Sequence, residues 1–232
     1  MRKTARSVAM LATAVLAAVC VGASNASATP ADTTRVAVIG DSITTGYGVP
    51  AGQSWASLFE ARQYGDNILP LGVNGATTRR WLQQYLPQLD QMRGWQPRIV
   101  VVALGANEWH MTRPAGEYAD HLRQIIGYLR QLVPGARIVL LHYYQINAEF
   151  EPNGCDAVPG DPVGCIHAQP PDTWDTYGVA MRTVAQQSEV LFIDISHTRD
   201  WSRLQLPDQA HLTVDGHRAF EQDTRAALST LP

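Results

Sequence analysis

Lysine is nearly missing from this chain: Lys3 is the single one in 232 residues. A Schiff-base nucleophile, a Ser–Lys dyad and a Walker-type phosphate loop each need an ammonium at a set position, so all three are excluded. Charge is scarce as well, with 17% Asp, Glu, Lys and Arg and a formal net charge of −3. No basic stripe exists to neutralise a phosphate backbone or an anionic membrane, and no nucleic-acid partner is expected. Cysteine is limited to three residues without C-x-x-C spacing, and no H-E-x-x-H occurs, so neither a metal nor another cofactor is expected. Nothing repeats at a solenoid period.

What is present begins with MRKTARSVAMLATAVLAAVCVGASNASA, residues 1–28, which has a basic start, an apolar middle and an A-S-A ending. That order describes a secretory signal peptide cleaved after Ala28. Gly22, Ser24 and Asn25 interrupt the apolar run too early for a membrane span, which argues against a retained anchor. Val19 stands before Cys20 where lipid attachment calls for a small residue, which argues against a lipoprotein. Cleavage removes Arg2, Lys3, Arg6 and Cys20, taking the net charge to −6 and leaving Cys155 and Cys165. Close together in a loop and exported, these two are expected to pair. The expectation is a secreted monomer without stable membrane insertion, folded as one domain over 29–232.

Five runs rich in valine, isoleucine and leucine punctuate that domain, at 35–40, 67–73, 98–105, 137–144 and 190–195. They lack polar alternation, as strands do when helices cover both faces of a parallel sheet. Helical patterns fall between and after them at 54–62, 78–86, 117–132, 173–187 and 214–228. The β-α-β-α order predicts an α/β fold, a doubly wound sandwich that binds ligands beyond the carboxyl ends of its strands. One segment, 145–172, is crowded with Pro and Gly and too long for a routine connection. It is either a functional loop beside the ligand edge or a surface excursion stapled by the expected disulfide.

Chemistry-bearing residues follow the strands on that edge. GDS at 40–42 follows the first, VNGATT at 73–78 the second, GANE at 105–108 the third, and PDQAH at 207–211 the fifth. Together they supply an acyl-transfer site. Ser42 is the nucleophile, but a serine hydroxyl attacks a carbonyl only with a neighbouring base, and His211 is the candidate. Asp208, three residues earlier, can hold the imidazole across one turn and stabilise its charged form. The backbone N–H groups of Ser42 and Gly75 and the amide of Asn107 are candidate donors for the oxyanion. Each block alone is also ordinary turn or cap chemistry. Their conjunction, each beyond a different strand, is what points to catalysis.

That conjunction resembles the SGNH hydrolase superfamily, the GDSL-type esterases and lipases. The match is carried by GDSIT at 40–44, Asn74 with Gly75, GANE at 105–108 and DQAH at 208–211. The resemblance implies a flavodoxin-like three-layer α/β/α sandwich with a five-stranded parallel sheet. It also implies a Ser42, Asp208, His211 triad, with Gly75 and Asn107 completing the oxyanion hole. Glu108 stands where the family usually has aspartate, and Leu212 where proline is common after the histidine. Neither is a reacting group.

His217 is a rival base, but of these two only His211 has the D-x-x-H spacing that orients an imidazole. The remaining histidines, His110, His121, His142, His167 and His197, show no ligand spacing and read for the most part as loop or surface residues. Trp109, Tyr47, Tyr143, Tyr144 and Trp174 are candidates to wall the substrate pocket, or else pack under loops. The substrate class implied is a carboxylic ester: short-chain acyl, sugar-acetyl or lipid. An acyltransferase with the same triad and a noncatalytic binding module on the same fold are the alternatives. A nucleotide- or flavin-binding sandwich is disfavoured, since Gly-x-Gly-x-x-Gly does not follow the first strand.

Overall fold

The central apolar runs become strands covered on both faces, while the two at the sheet edges are only partly buried. In a computed structural model, which describes residues 35–59, 67–147 and 172–230, the five runs form β1 (Val36–Gly40), β2 (Ile68–Gly72), β3 (Ile99–Ala103), β4 (Arg137–His142) and β5 (Leu191–Asp194). All of β1 and all but the first residues of β3 and β4 are buried, which explains the missing alternation. The five strands pair in parallel in the order β2-β1-β3-β4-β5. This is the flavodoxin-like order. Residues 1–28, Cys155, Cys165, His167 and most of the 145–172 loop lie outside the described residues.

Helices fill both outer layers. α1 (Ser42–Thr45) follows β1 directly, and α2 (Trp55–Phe59) precedes β2. After β2, α3 (Thr78–Arg80) and α4 (Leu86–Leu89) are joined by a π turn at Trp81–Tyr85, and α5 (Gln91–Trp95) leads to β3. α6 (Ala106–His110) and α7 (Ala115–Leu132) precede β4, α8 (Trp174–Gln187) precedes β5, and α9 (Val214–Ser229) ends the fold. Thr77, Thr173 and Thr213 cap α3, α8 and α9, each hydroxyl accepting a backbone N–H from the first turn. On α7 the buried Tyr118, Leu122, Ile125, Ile126 and Leu129 form one apolar stripe. α7 packs on α8, and α2 on α9. By the right-hand rule for parallel crossovers, α2 between β1 and β2 and α7 between β3 and β4 fall on opposite faces of the sheet.

α1, α5 and α6 were not legible as helices, because four or five residues are too few to display a 3.6-residue period. Among the described residues, no helix is long and apolar enough to cross a membrane. The position of β1 in the sheet decides where a ligand can enter. With β2 on one side and β3 on the other, it lies where the chain reverses its direction of winding, and a crevice opens there at the strands' carboxyl ends.

Candidate active site

β1 ends at Gly40, and the next two residues start a helix. Asp41 is the N-cap of α1, its Oδ1 accepting the Ile43 N–H at 2.9 Å, and Ser42 is the first helical residue. The nucleophile candidate is therefore held at the crevice by a strand end and a helix start.

His211 arrives from a loop beyond β5. A single antiparallel bridge between Gln205 and Leu212 closes this loop, and the Leu206 N–H donates to the His211 carbonyl at 2.7 Å. Asp208 Oδ1 accepts the Ala210 and His211 N–H groups at 3.0 Å each, while Oδ2 lies 2.8 Å from His211 Nδ1. On the other side of the ring, Nε2 lies 2.9 Å from Ser42 Oγ. Tyr144 steadies the loop from below by donating its hydroxyl to the Ala210 carbonyl at 2.8 Å. Partial burial pushes the Asp208 carboxyl up, but the N–H groups of His211 and Ala210, together with the imidazole, outweigh it and hold the group below its usual range. An ionised Asp208 only accepts, so Nδ1 carries the ring proton and Nε2 is left to accept from Ser42.

The other two blocks close around this pair. Asn107 stands in α6, its Nδ2 donating to the Ala76 carbonyl at 3.0 Å and lying 3.5 Å from Asp41 Oδ2. Arg80 Nη1 holds the Gly75 carbonyl at 3.1 Å. The Thr45 hydroxyl reaches Asn74 Oδ1 at 2.6 Å, tying the loop after β2 to α1. Buried Glu108 accepts the Thr78 N–H, so the carboxylate one methylene longer than the family's aspartate tethers the loop after β3 to the start of α3. Ser42, Gly75, Asn107 and His211 all line one cleft of about 320 Å³, with Asp208 behind the imidazole.

Asp41 itself is fully buried. Burial pushes its carboxyl up to about 6, against the pull of the Ile43 N–H, the Tyr143 hydroxyl and the His211 charge. Tyr143 donates to Asp41 Oδ2 at 3.0 Å and accepts the Ala106 N–H at 3.3 Å. This network escaped sequence reasoning, although Asp41 adjoins Ser42, because its partner is 102 residues away.

The expected pocket walls need correcting. Trp109, Tyr143 and Tyr144, and Trp174 with them, are buried beneath the cleft and do not line it. Trp109 Nε1 donates to the Asp172 carbonyl at 3.0 Å, and Trp174 Nε1 to the Tyr143 carbonyl at 2.8 Å. Tyr143 and Tyr144 continue directly from the buried strand β4, and Trp109 and Trp174 stand on the buried faces of α6 and α8. Of the aromatic candidates only Tyr47 lines the cleft, where Ile43, Met111 and Ile146 add apolar surface. His110 also lines it, and His142 is buried against Trp174 with ring centroids 4.8 Å apart, so neither is a plain surface residue. His217 is fully buried, its Nδ1 accepting the Trp55 N–H at 3.2 Å. Burial, followed by the nearby His211 charge, pushes it down to about 4. Among the described residues no cluster of three or more His, Cys, Asp or Glu side chains could hold a metal ion.

A parallel sandwich with a serine, histidine and aspartate on its ligand edge defines a class, the carboxylic ester hydrolases of SGNH type. Residues 38–219 match the GDSL-like lipase/acylhydrolase family, and the chain belongs to that family. A GDSL esterase/lipase of Arabidopsis thaliana is 25% identical over 199 residues, covering 79% of this chain and 80% of the relative. An arylesterase of Vibrio mimicus is 28% identical over 111 residues, 46% of this chain and 53% of the relative. The psychrotrophic esterase EstA from Pseudoalteromonas sp. superposes with a TM-score of 0.61 at 16% identity, over 85% of this chain and 97% of its own. Axe2, an acetylxylan esterase from Geobacillus stearothermophilus, superposes with a TM-score of 0.61 at 17% identity, over 85% and 95%.

Proposed function

We propose that this enzyme is exported and hydrolyses small carboxylic esters through an acyl-enzyme on Ser42. The observation that carries the mechanism is the unbroken chain from Asp208 through His211 to the Ser42 hydroxyl. Ser42 Oγ attacks the ester carbonyl carbon as its proton passes to His211 Nε2, and the carbonyl π electrons move to oxygen. The oxyanion takes hydrogen bonds from the backbone N–H groups of Ser42 and Gly75 and from Asn107 Nδ2, which gives up its long 3.5 Å contact to Asp41 Oδ2. Losing one such donor costs about 2.7 to 4 kcal/mol in the transition state. The C–O bond to the alcohol then breaks, and the alcohol leaves with the proton from His211. Water repeats the sequence, releases the acid and regenerates Ser42.

The cleft supports a small substrate. At about 320 Å³ it lies at the lower end of ligand-site sizes, which favours a short acyl group over a long chain. The named activities of the Vibrio mimicus and Geobacillus stearothermophilus relatives, an arylesterase and an acetylxylan esterase, support the same range.

Labelling with a fluorophosphonate and mapping the adduct tests the mechanism. Modification at Ser42 and turnover of p-nitrophenyl esters, both lost in Ser42→Ala and steepest for short acyl chains, are expected. A folded protein that is neither labelled nor active on any ester would make it a binding module. Export is checked by amino-terminal sequencing of protein recovered outside the cell. A start near Thr29 is expected, and an intact Met1 or a purely internal location would refute it.

A further inference from the structure

We propose that Tyr47 selects the leaving group, favouring esters whose alcohol carries a flat aromatic ring; this rests on the acyl-enzyme mechanism proposed above. Among the described residues the exposed large hydrophobics are Tyr47, at 53%, and Val179, at 63%. A single exposed apolar side chain needs no explanation, and Val179 lies outside the cleft. Tyr47 is different because of what it faces. Its ring lies in the cleft with its centroid 4.6 Å from that of His211 and the planes inclined by 43°.

The backbone holds the ring there. Gly46 and Gly48 flank it in the left-handed region, at φ 78° and 85°. A Cβ at Gly46 would come 2.6 Å from Ser54 Cβ, and one at Gly48 would come 2.5 Å from Leu206 Cδ1. The turn is thus wedged between the entry to α2 and the loop that carries His211, a fit that a Cβ on Gly46 would disrupt and one on Gly48 would strain through its left-handed φ. The Tyr47 N–H donates to the Ser42 carbonyl at 3.0 Å, tying the turn to the nucleophile's own residue. The Tyr47 hydroxyl makes no hydrogen bond to another described residue, so what the structure positions is the ring.

Reaction geometry then assigns the side of the substrate. When the acyl C–O bond breaks, the electron pair goes to the alcohol oxygen, which takes the proton held on His211 Nε2. That oxygen must lie within hydrogen-bond reach of Nε2, so the alcohol's first substituent emerges beside the imidazole, where the Tyr47 ring stands. The carbonyl oxygen faces Gly75 and Asn107 instead. An aromatic alcohol can meet the Tyr47 ring offset or edge-on, which is worth roughly threefold to tenfold in binding. A sugar ring needs several polar partners, and beside the reacting Ser42, Asn107 and His211 the cleft's polar side chains are His110, the Tyr47 hydroxyl and Asn74, whose Oδ1 already accepts from Thr45. Ile43, Met111 and Ile146 offer none.

Benzyl acetate and allyl acetate release alcohols of nearly equal acidity, so their kcat/KM ratio isolates the contact with the ring. A wild-type preference for the benzyl ester is expected, with the ratio falling at least threefold in Tyr47→Ala and kept in Tyr47→Phe. A ratio unchanged in Tyr47→Ala, in protein whose Ser42 still takes the fluorophosphonate label, would overturn the role of Tyr47 and leave the hydrolytic mechanism standing. So would a loss in Tyr47→Phe as large as in Tyr47→Ala, since the hydroxyl and not the ring would then be selecting. Wild-type protein that is neither labelled nor active on either ester would sink the mechanism and this role together.

Discussion

The hydroxyl of Tyr143 donates to the fully buried carboxylate of Asp41 at 3.0 Å, joining the end of β4 to the residue before the proposed nucleophile, Ser42. Because the same hydroxyl accepts the Ala106 N–H, it pins the start of α1 to the start of α6. Those two helix starts carry Ser42 and Asn107. On the proposed mechanism this makes Tyr143 a positioning residue for the proposed nucleophile and oxyanion donor.

Tyr143→Phe removes that pin at little cost in volume. It leaves the Asp41 oxygen and the Ala106 N–H each short of a partner in a buried setting, so a stability loss of about 1 to 3 kcal/mol is expected. A roughly tenfold fall in kcat with KM little changed should accompany it, since misplaced donors weaken the transition state more than the ground state. Denaturant unfolding and steady-state kinetics check both. Lost stability with unaltered kcat would leave Tyr143 a purely structural residue.

Asp41→Asn should separate stability from activity. The folded-state carboxyl is raised from 3.8 to about 6, so the native state holds its proton more tightly than the unfolded chain. Its contribution to stability therefore falls as pH rises through that window, and the ionised form costs about 3 kcal/mol above it. Asparagine keeps an oxygen for the Ile43 N–H and carries no charge, but places an NH₂ where Tyr143 and Asn107 donate. The variant is expected to be more stable than wild type by about 1 to 2 kcal/mol at pH 8, after lost hydrogen bonds are set against lost charge. That advantage should shrink towards pH 4, and kcat should be lower than wild type. Unfolding curves at the two pH values, paired with kinetics, provide the check.

Asn107→Ala and Asp208→Asn probe different steps of the same chemistry. Loss of the amide donor is expected to lower kcat by about 10² to 10³. Asp208→Asn removes the carboxylate that fixes the imidazole tautomer, and a fall approaching about 10⁴ is expected. Fluorophosphonate labelling of Ser42 should slow sharply in Asp208→Asn. A loss below tenfold in both variants would show that the observed geometry is not the working one.

Acid should destabilise the fold through two buried imidazoles. Burial is the main cause that pushes His142 and His217 down from 6.5 to about 4. The unfolded chain thus binds more protons than the native state between those values, and stability is lost as pH falls through that window, by up to about 3 kcal/mol for each histidine. Asp41 works in the opposite direction over an overlapping range, so single variants are needed to resolve the terms. His217→Gln should flatten the dependence of the denaturant midpoint between pH 7 and 4. An unaltered slope would mean that His217 is already protonated in the native protein.

The central strands β1, β3 and β4 were legible because burial on both faces leaves a continuous apolar signature that needs no knowledge of neighbours, and the partly buried β2 and β5 were legible from their apolar content. Each long helix was legible from its residue pattern, and the structure adds that Thr173 and Thr213 cap two of them. The aromatics misled because apolar area alone does not say which way a ring points. Tyr143 and Tyr144 follow a buried strand and continue into the core, whereas Tyr47 sits on a glycine-flanked turn and stays out.

By itself the sequence determined the chemistry that is local: the Asp-x-x-His spacing that lets Asp208 grip its imidazole, the cap at Asp41 that presents Ser42, and the kinds of atom available for an oxyanion. Only the tertiary structure decided which distant groups share a proton and which face solvent. Ser42 and His211 are 169 residues apart along the chain, and Asp41 and Tyr143 are 102 apart. Contacts of that span have no periodic trace in sequence, because they are set by the order in which parallel strands assemble and by where each loop leaves the sheet.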